Sequence, residues 1–208
     1  EFESPLIYNI GISYKPSADN NLVFKGSFGR NFHSPTLNDL YWTQGGNPAL
    51  ETEKGWSGEL GIQLYDGWAD DRNEDRTHRG RFESTAFYSR ISNWIQWVPQ
   101  PGSVLWMATN YQEVENYGLE TSFRVPAFHI GEHLMFQSQL NHTWTQSTIV
   151  ETNSGDEDLA GQQLIYVPKH QFGGSLNIRY KFRYELRYHH QFTDQVFITT
   201  DNQWYLPE

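Results

Sequence analysis

The residues best suited to binding chemistry form a group of rings, amides and one carboxylate in a polar segment of the chain. These residues are Asn38, Asp39, Tyr41, Trp42, Gln44 and Asn47. Two further rings, Trp97 and Trp106, flank a short polar tip. Large rings in exposed loops are costly unless they contact a ligand, a partner or a membrane interface. We therefore predict ligand contacts for this whole set. Packing within the loop is the alternative for Tyr41 and Trp42, and a place in an aromatic membrane belt is the alternative for Trp97 and Trp106.

Catalysis has no residue pattern to support it. The sequence contains no Cys, which excludes disulfides, thiolate zinc sites and cysteine nucleophiles. It contains no G-x-S-x-G elbow, no H-E-x-x-H helix and no phosphate-binding loop. His189 and His190 are neighbours in an extended segment, so their side chains point to opposite faces and do not form a joint metal site. We expect a protein that is not an enzyme and that carries no cofactor.

Clusters of carboxylates occur at Asp70–Asp71, Glu74–Asp75 and Asp156–Asp158. Such runs are typical of solvated turns. For the third cluster the alternative is a loop ordered by calcium, because hard cations take several oxygen ligands. Asp156 and Asp158 are therefore calcium candidates, although the segment lacks the spacing of an EF-hand loop.

Composition excludes several classes of protein. There are 15 Lys and Arg against 25 Asp and Glu, a net charge of −10, so no basic surface neutralises phosphates and a nucleic-acid partner is not expected. No apolar run approaches the ~20 residues of a membrane-spanning helix. The apolar set is 37% of the chain and is rich in rings, with 13 Phe, 12 Tyr and 8 Trp. A core of aliphatic residues is poorly supplied.

Apolar and polar residues alternate with the period of two that marks a half-buried strand. Between Phe172 and Phe182 the even positions are apolar or Gly, and the pattern restarts at Tyr184, which predicts a hairpin. The same pattern predicts about eight strands in all, several of ten or more residues. Short connections, such as those predicted at Lys15–Asn21 and Pro126–Glu132, alternate with mostly long ones.

Long strands with rings near their ends and loops of alternating length are typical of a transmembrane barrel, whose tilted strands need ~9–11 residues to cross the hydrocarbon layer. A soluble β-sandwich that binds carbohydrate on Trp and Tyr surfaces is the alternative. The two differ in the apolar parity: a sandwich buries Leu176, Ile178 and Tyr180, whereas a barrel exposes them to lipid.

Two stretches carry a resemblance to a known family. Residues 29–42 read GRNFHSPTLNDLYW and residues 45–54 read GNPALETEK after a further Gly, followed by Glu59 and Gly61. This is similar to TonB-dependent outer-membrane receptors, although Thr52 stands where Pro is usual and His33 where Arg or Lys is commoner. Residues 91–99, ISNWIQWVP, with Trp106, Asn110, Val114 and Gly118-Leu119-Glu120 after them, look most like the vitamin B12 (cobalamin) receptor branch.

The resemblance implies an all-β fold, a transmembrane antiparallel up-and-down β-barrel of the outer membrane of a Gram-negative bacterium. Residues 1–208 would supply about eight of about 22 strands, without the N-terminal plug and the final strands. It implies active import of a scarce nutrient with energy from the TonB complex through the missing plug. A corrinoid is the expected ligand, and a ferric siderophore or haem is the alternative.

The resemblance also implies partners and a lining for the barrel. The partners are the remainder of the barrel, lipid and lipopolysaccharide, the small-molecule ligand and, in some branches, a surface lipoprotein cap. The inward parity residues would contact the plug or lumen water and could pair with one another. They are Glu59, Glu120, Arg124, Arg179, Glu185 and Arg187.

Overall fold

The chain forms one large antiparallel sheet with a short helix in one of its loops. The computed structural model describes residues 6–17, 21–65, 80–100, 104–152, 159–181 and 183–207. The strands of the sheet are β1 (Tyr8–Tyr14), β2 (Leu22–His33), β3 (Glu53–Tyr65), β4 (Arg81–Pro99), β5 (Trp106–Ile130), β6 (Leu134–Glu151), β7 (His170–Tyr180) and β8 (Tyr184–Thr193). Helix α1 spans Leu37–Tyr41, and a separate two-stranded ribbon pairs β9 (Val196–Phe197) with β10 (Tyr205–Leu206).

Each of the eight strands pairs with its neighbours in sequence, in the order β1 to β8. This is the up-and-down topology predicted from the alternating pattern, and the sheet is open, as part of a barrel must be. One predicted connection is wrong: β5 runs on through Pro126 to Ile130, and the turn lies at residues 131–133. A register shift between Val125 and Phe128 accommodates this Pro, which cannot donate a ladder hydrogen bond. In the described residues, no helix has the length and apolarity needed to span a membrane.

One face of the sheet is apolar and uncovered. Its register aligns Ile12, Gly26 and Leu60 across three strands, and Leu60 and Ile12 are 73% and 72% exposed. The exposed apolar residues of this face include Phe24, Phe28, Leu119, Phe123, Leu140, Phe172 and Leu186. A sandwich would bury this parity against a second sheet. The exposure favours a lipid-facing wall.

Aromatic rings cross this apolar face in a row over strands β1–β4. Neighbouring rings of Tyr8, Phe28, Trp56 and Tyr88 have centroids 6.1, 6.0 and 5.1 Å apart in that order. Aromatic rings concentrate at membrane interfaces because one end of the ring system is apolar and the other can meet water. This row has the composition of an aromatic girdle.

The opposite face of the sheet is polar, and its charges pair within the wall. Glu185 accepts hydrogen bonds from Arg187 at 3.1 Å and from Arg179 at 3.4 Å, as the inward parity predicts. On the same polar face but nearer the β1 edge of the sheet, Lys25 Nζ in β2 lies 3.2 Å from Glu83 Oε1 in β4. This face provides a charged but internally bonded lining.

Strands β4, β5 and β6 extend beyond the girdle, with 19, 25 and 18 residues. A tilted strand needs only about 9–11 residues to cross the bilayer, so the ends of these strands project on the long-loop side. Two small clusters of buried residues lie in this projection. One contains Leu40, Leu50 and Ala108, and the other contains Val98, Tyr111, Val114, Ile149, Leu164 and Ile165.

A local irregularity shapes the second cluster. Tyr111 and Val114 share it although strict alternation places residues three apart on opposite faces. The β5–β6 register shifts between Glu113 and Val114, and Asn93 on the neighbouring strand has a φ of 58°. Bulges of this kind increase twist and redirect side chains. In the projecting part of the hairpin, the buried residues therefore do not follow the alternation of apolar and polar residues seen in the rest of β4 and β5.

Candidate functional site

Helix α1 begins with a hydrogen-bonded cap that orders the polar loop at residues 34–52. Asp39 N donates to Thr36 Oγ1 at 3.2 Å, and Asp39 Oδ2 accepts from Thr36 N at 2.8 Å and from Thr36 Oγ1 at 2.6 Å. This reciprocal capping box satisfies backbone donors that a helix N-terminus otherwise leaves unpaired. The cap gives a five-residue helix a fixed start, although so short a helix is not stable by itself.

Asp39 also joins the loop to the β4–β5 hairpin. Trp97 Nε1 donates to Asp39 Oδ1 at 2.8 Å, and Asp39 is only 9% exposed. Burial acts to raise the pKa of Asp39, but the hydrogen bonds from Thr36 and Trp97 outweigh it and hold the pKa below its ordinary value. The carboxylate is thus charged and buried, and both of its oxygens accept hydrogen bonds from the protein. These bonds position the loop against the hairpin.

A glycine allows the loop to approach the hairpin closely. Gly45 has a φ of 147°, and a Cβ at this position would lie 1.8 Å from the Trp106 carbonyl oxygen. Its own carbonyl accepts from Ala108 N at 2.9 Å. Asn47 Nδ2 donates to Ala108 O at 3.2 Å, so the loop and β5 are bonded over consecutive contacts.

The far end of the loop is bonded to the same hairpin. Asn93 Nδ2 donates to Glu51 Oε2 at 2.8 Å, and Asn110 Oδ1 accepts from Glu51 N at the same distance. Glu53 Oε1 accepts from Ile95 N at 2.7 Å. The loop is therefore held at both ends against one face of the β4–β5 hairpin, with Leu40 and Leu50 buried between them.

The predicted site residues divide into two groups. Asp39, Asn47 and Trp97 lie together in the contacts that hold the loop. Tyr41 and Trp42 are 66% and 51% exposed at the end of α1. Exposed amide side chains of the same loop are those of Asn38 and Gln44. The structure thus presents two rings and two amides to solvent on a fixed support, and the role of these residues as ligand contacts stays a prediction.

Trp106 pairs with a ring outside the loop at residues 34–52. Its ring stacks with Tyr166 at a centroid distance of 6.0 Å and an interplanar angle of 30°. Tyr166 is 49% exposed and has a φ of 59°. The sequence did not identify Tyr166 as a site residue. A ring before V-P in a polar loop was the only available signal, because its partner lies 60 positions away in the chain.

The described part of the chain contains no group of side chains suited to hold a metal ion. No cluster of three or more His, Asp or Glu side chains is placed there to hold an ion. The calcium candidates Asp156 and Asp158 lie outside the described residues. Calcium at that loop stays a prediction.

Comparison with protein families and curated proteins identifies relatives of the chain. The family model described as "TonB dependent receptor-like, beta-barrel" matches residues 3–207. A vitamin B12 transporter, BtuB, of Vibrio vulnificus is 30% identical over 113 residues, and BtuB of Photobacterium profundum is 32% identical over 120 residues. Each match covers 54% of the chain and 16% of the relative, so the aligned part is about one-sixth of the length of these proteins.

Solved structures support the fold. The ferric preacinetobactin receptor BauA of Acinetobacter baumannii has a TM-score of 0.60 at 17% identity, with 96% of this chain and 27% of that chain covered. The FrpB iron transporter of Neisseria meningitidis has a TM-score of 0.57 at 18% identity, with 93% and 27% covered. Together with the open up-and-down sheet and the family match over nearly its whole length, these findings place the chain: it belongs to the β-barrel of the TonB-dependent receptors.

Proposed function

We propose that the intact receptor containing this chain captures a corrinoid, vitamin B12 or a close analogue, at its extracellular loops and imports it across the outer membrane. The observation that carries this proposal is that the two curated relatives, at 30% and 32% identity, are vitamin B12 transporters. The solved structures at 17% and 18% identity include receptors for iron compounds, and at that identity they support the fold alone.

The exposed chemistry of the loop at residues 34–52 suits such a ligand. A corrinoid has a flat macrocycle with amide groups on its edge. The rings of Tyr41 and Trp42 offer apolar faces, and the amides of Asn38 and Gln44 offer both donors and acceptors. Asp39, Asn47 and Trp97 serve this function indirectly because they hold the loop against the hairpin.

The partners in this proposal follow from the family. Energy comes from the TonB complex through the plug of the intact receptor, and the polar face of the sheet lines the path for the ligand and the displaced plug. The apolar face meets lipid and, in the outer leaflet, lipopolysaccharide. Above the loops a surface lipoprotein can act as a cap. The chain itself contributes wall and loops, and it performs no chemistry on the ligand.

Calorimetric titration of the detergent-solubilised intact receptor with cyanocobalamin tests the proposal, with a ferric siderophore titrated in parallel. We expect cyanocobalamin to bind with a Kd in roughly the nanomolar range and the siderophore to give no heat of binding. A folded receptor that binds the siderophore and not cyanocobalamin contradicts the corrinoid assignment and leaves the transporter in place.

Two loop variants test the residues. Tyr41→Ala and Trp42→Ala should each weaken binding by about tenfold or more, the effect expected for the loss of one ring stacked on a ligand. Tyr184→Ala is the matched control, because Tyr184 is 64% exposed next to the short turn at the opposite end of the sheet. Unchanged affinity in both loop variants would falsify the loop assignment.

A further inference from the structure

Tyr166 adopts a backbone conformation that a bulky residue rarely takes. Its φ of 59° lies in the left-handed region, where Gly, Asn and Asp are the common occupants. Residues held in such conformations persist only where the surroundings fix them, and they concentrate at ligand sites and switches.

Hydrogen bonds on two sides fix the segment around Tyr166. Tyr166 N donates to Phe197 O at 2.9 Å, which ties the residue to strand β9. Gln163 N donates to Asn202 Oδ1 at 2.7 Å, and Asn202 Nδ2 donates back to Gln163 O at 2.9 Å. On the other side Leu164 N donates to Ser147 O at 2.9 Å, which ties the segment to β6. The β9–β10 ribbon thus acts as a brace.

The brace keeps the Tyr166 ring out of the core. The two preceding residues, Leu164 and Ile165, are each only 2% exposed and pack with Val98 and Tyr111 of the hairpin. Tyr166 itself is 49% exposed. The Tyr166 ring therefore lies outside the core, and part of its surface is accessible to a ligand.

Trp106 completes a rigid aromatic surface with Tyr166. The two rings stack at 6.0 Å and 30°, which lies within the range of favourable ring pairs. Trp106 is held from below, because it packs on the cluster around Val98 and its carbonyl group abuts Gly45. Two rings from distant parts of the chain are thus fixed before any ligand arrives, which lowers the entropy lost on binding.

We propose that Tyr166, supported by the stacked ring of Trp106, forms a stacking site for the flat conjugated face of the imported ligand. This site rests on the proposed import function and adds to it a second contact surface. The loop at residues 34–52 packs on the Trp97 and Ala108 face of the hairpin, whereas the segment with Tyr166 packs on the Val98 face. Trp106 is the first residue of β5, and its ring contacts the Val98 cluster and Tyr166 rather than the loop cluster around Ala108.

The test uses the intact receptor and three probes with conjugated groups: cyanocobalamin, haemin and a ferric tris-catecholate. Tyr166→Asn removes the ring and suits the positive φ, and Tyr166→Phe keeps the ring and removes the hydroxyl group. For the probe that wild type binds, we expect Tyr166→Phe to stay within about twofold and Tyr166→Asn to weaken affinity by about tenfold. The thermal midpoint of Tyr166→Asn should equal or exceed that of wild type, because the backbone strain is relieved.

Tyr205→Asn is the matched control, since Tyr205 is 54% exposed on β10 and lies outside the stacked pair. Unchanged affinity in Tyr166→Asn, or an equal loss in Tyr166→Phe, overturns the stacking site even where cyanocobalamin binds wild type and the import proposal stands. A loss confined to haemin or the catecholate, without cyanocobalamin binding, supports the stacking site and contradicts the corrinoid. A wild-type receptor that binds none of the probes overturns both.

Discussion

Asp39, predicted from the sequence as a ligand contact, has its carboxylate bonded to the protein in the structure, and a ligand contact there stays a prediction. Its type and its neighbours suggested an exposed acceptor, yet both carboxylate oxygens accept hydrogen bonds from the protein. The Thr36 contact is local and follows from the T-x-x-D spacing of a helix cap. The Trp97 contact joins residues 58 positions apart, and no local pattern in the sequence indicates it.

Removal of this carboxylate should loosen the loop. Asp39→Ala keeps the Thr36 N-cap but removes the reciprocal carboxylate of the capping box. It also leaves the half-buried indole N–H of Trp97 without its acceptor, at a cost of about 1–3 kcal/mol. We expect faster amide hydrogen exchange at residues 36–42 in the intact receptor. Asp39→Asn, which keeps the acceptor for Trp97, should lie between the two, and equal exchange in wild type and Asp39→Ala would contradict the supporting role.

Acid should have the same effect through protonation. Because the pKa of Asp39 is lower in the folded protein than its ordinary value of 3.8, the stabilising contribution is complete above that value and is lost as the pH falls through the lower folded pKa. Protection factors at residues 36–42, corrected for intrinsic exchange at each pH, should be constant from about pH 7 to pH 5 and decline below about pH 4. Asp39→Asn should show no such decline.

The β4–β5 hairpin is the element against which the described long-loop segments pack. Most of its alternation could be read from sequence, and the eight predicted strands were confirmed. The burial pattern in the projecting part of the hairpin could not be predicted from alternation. The φ of 58° at Asn93 and the register shift at Glu113 change which residues are buried there. Those features depend on what the loops pack against. The sequence predicts Trp97, Trp106 and Asp39 as site residues from their types alone. It does not indicate that Trp97 contacts Asp39 or that Trp106 contacts Tyr166, because both contacts join distant parts of the chain.

Gly45 tests the junction of loop and hairpin. Gly45→Ala places a Cβ against the Trp106 carbonyl group, so the loop must move away from β5, whereas Gly161→Ala imposes a left-handed residue, with a φ of 85°, in open space. The second change should cost about 1–2 kcal/mol of local strain without displacing neighbours. We expect rapid proteolytic cleavage within residues 34–52 for Gly45→Ala alone. Similar cleavage in both variants would show that strain, and not the close contact, governs the loop.

The two faces of the sheet require residues of opposite polarity: apolar residues on one face and polar residues on the other. Leu60 is 73% exposed in the apolar face between Trp56 and the end of β3, whereas Gln191 is exposed on the polar face of β8. Leu60→Arg in the intact receptor places a charge in lipid at a cost of about 2–4 kcal/mol near the midplane. We expect Leu60→Arg to give a lower folded fraction in lipid vesicles, measured as the share of unheated protein that keeps the folded mobility in SDS gel electrophoresis. Gln191→Arg should fold as wild type does, and equal yields of the two variants would contradict the assignment of faces.

The bonding of the polar face bears on how anything moves past it. Glu185 is bonded to Arg179, Arg187 and Asn177 within its own wall, and Lys25 is bonded to Glu83. Groups whose donors and acceptors are already satisfied gain little from a new partner. The carboxylates of Glu185 and Glu83 are therefore largely occupied by neighbours in the wall, whereas Arg179 and Arg187 share one carboxylate between two positive charges. The polar face is therefore a hydrated, charged surface whose carboxylates offer few free acceptors to a passing group.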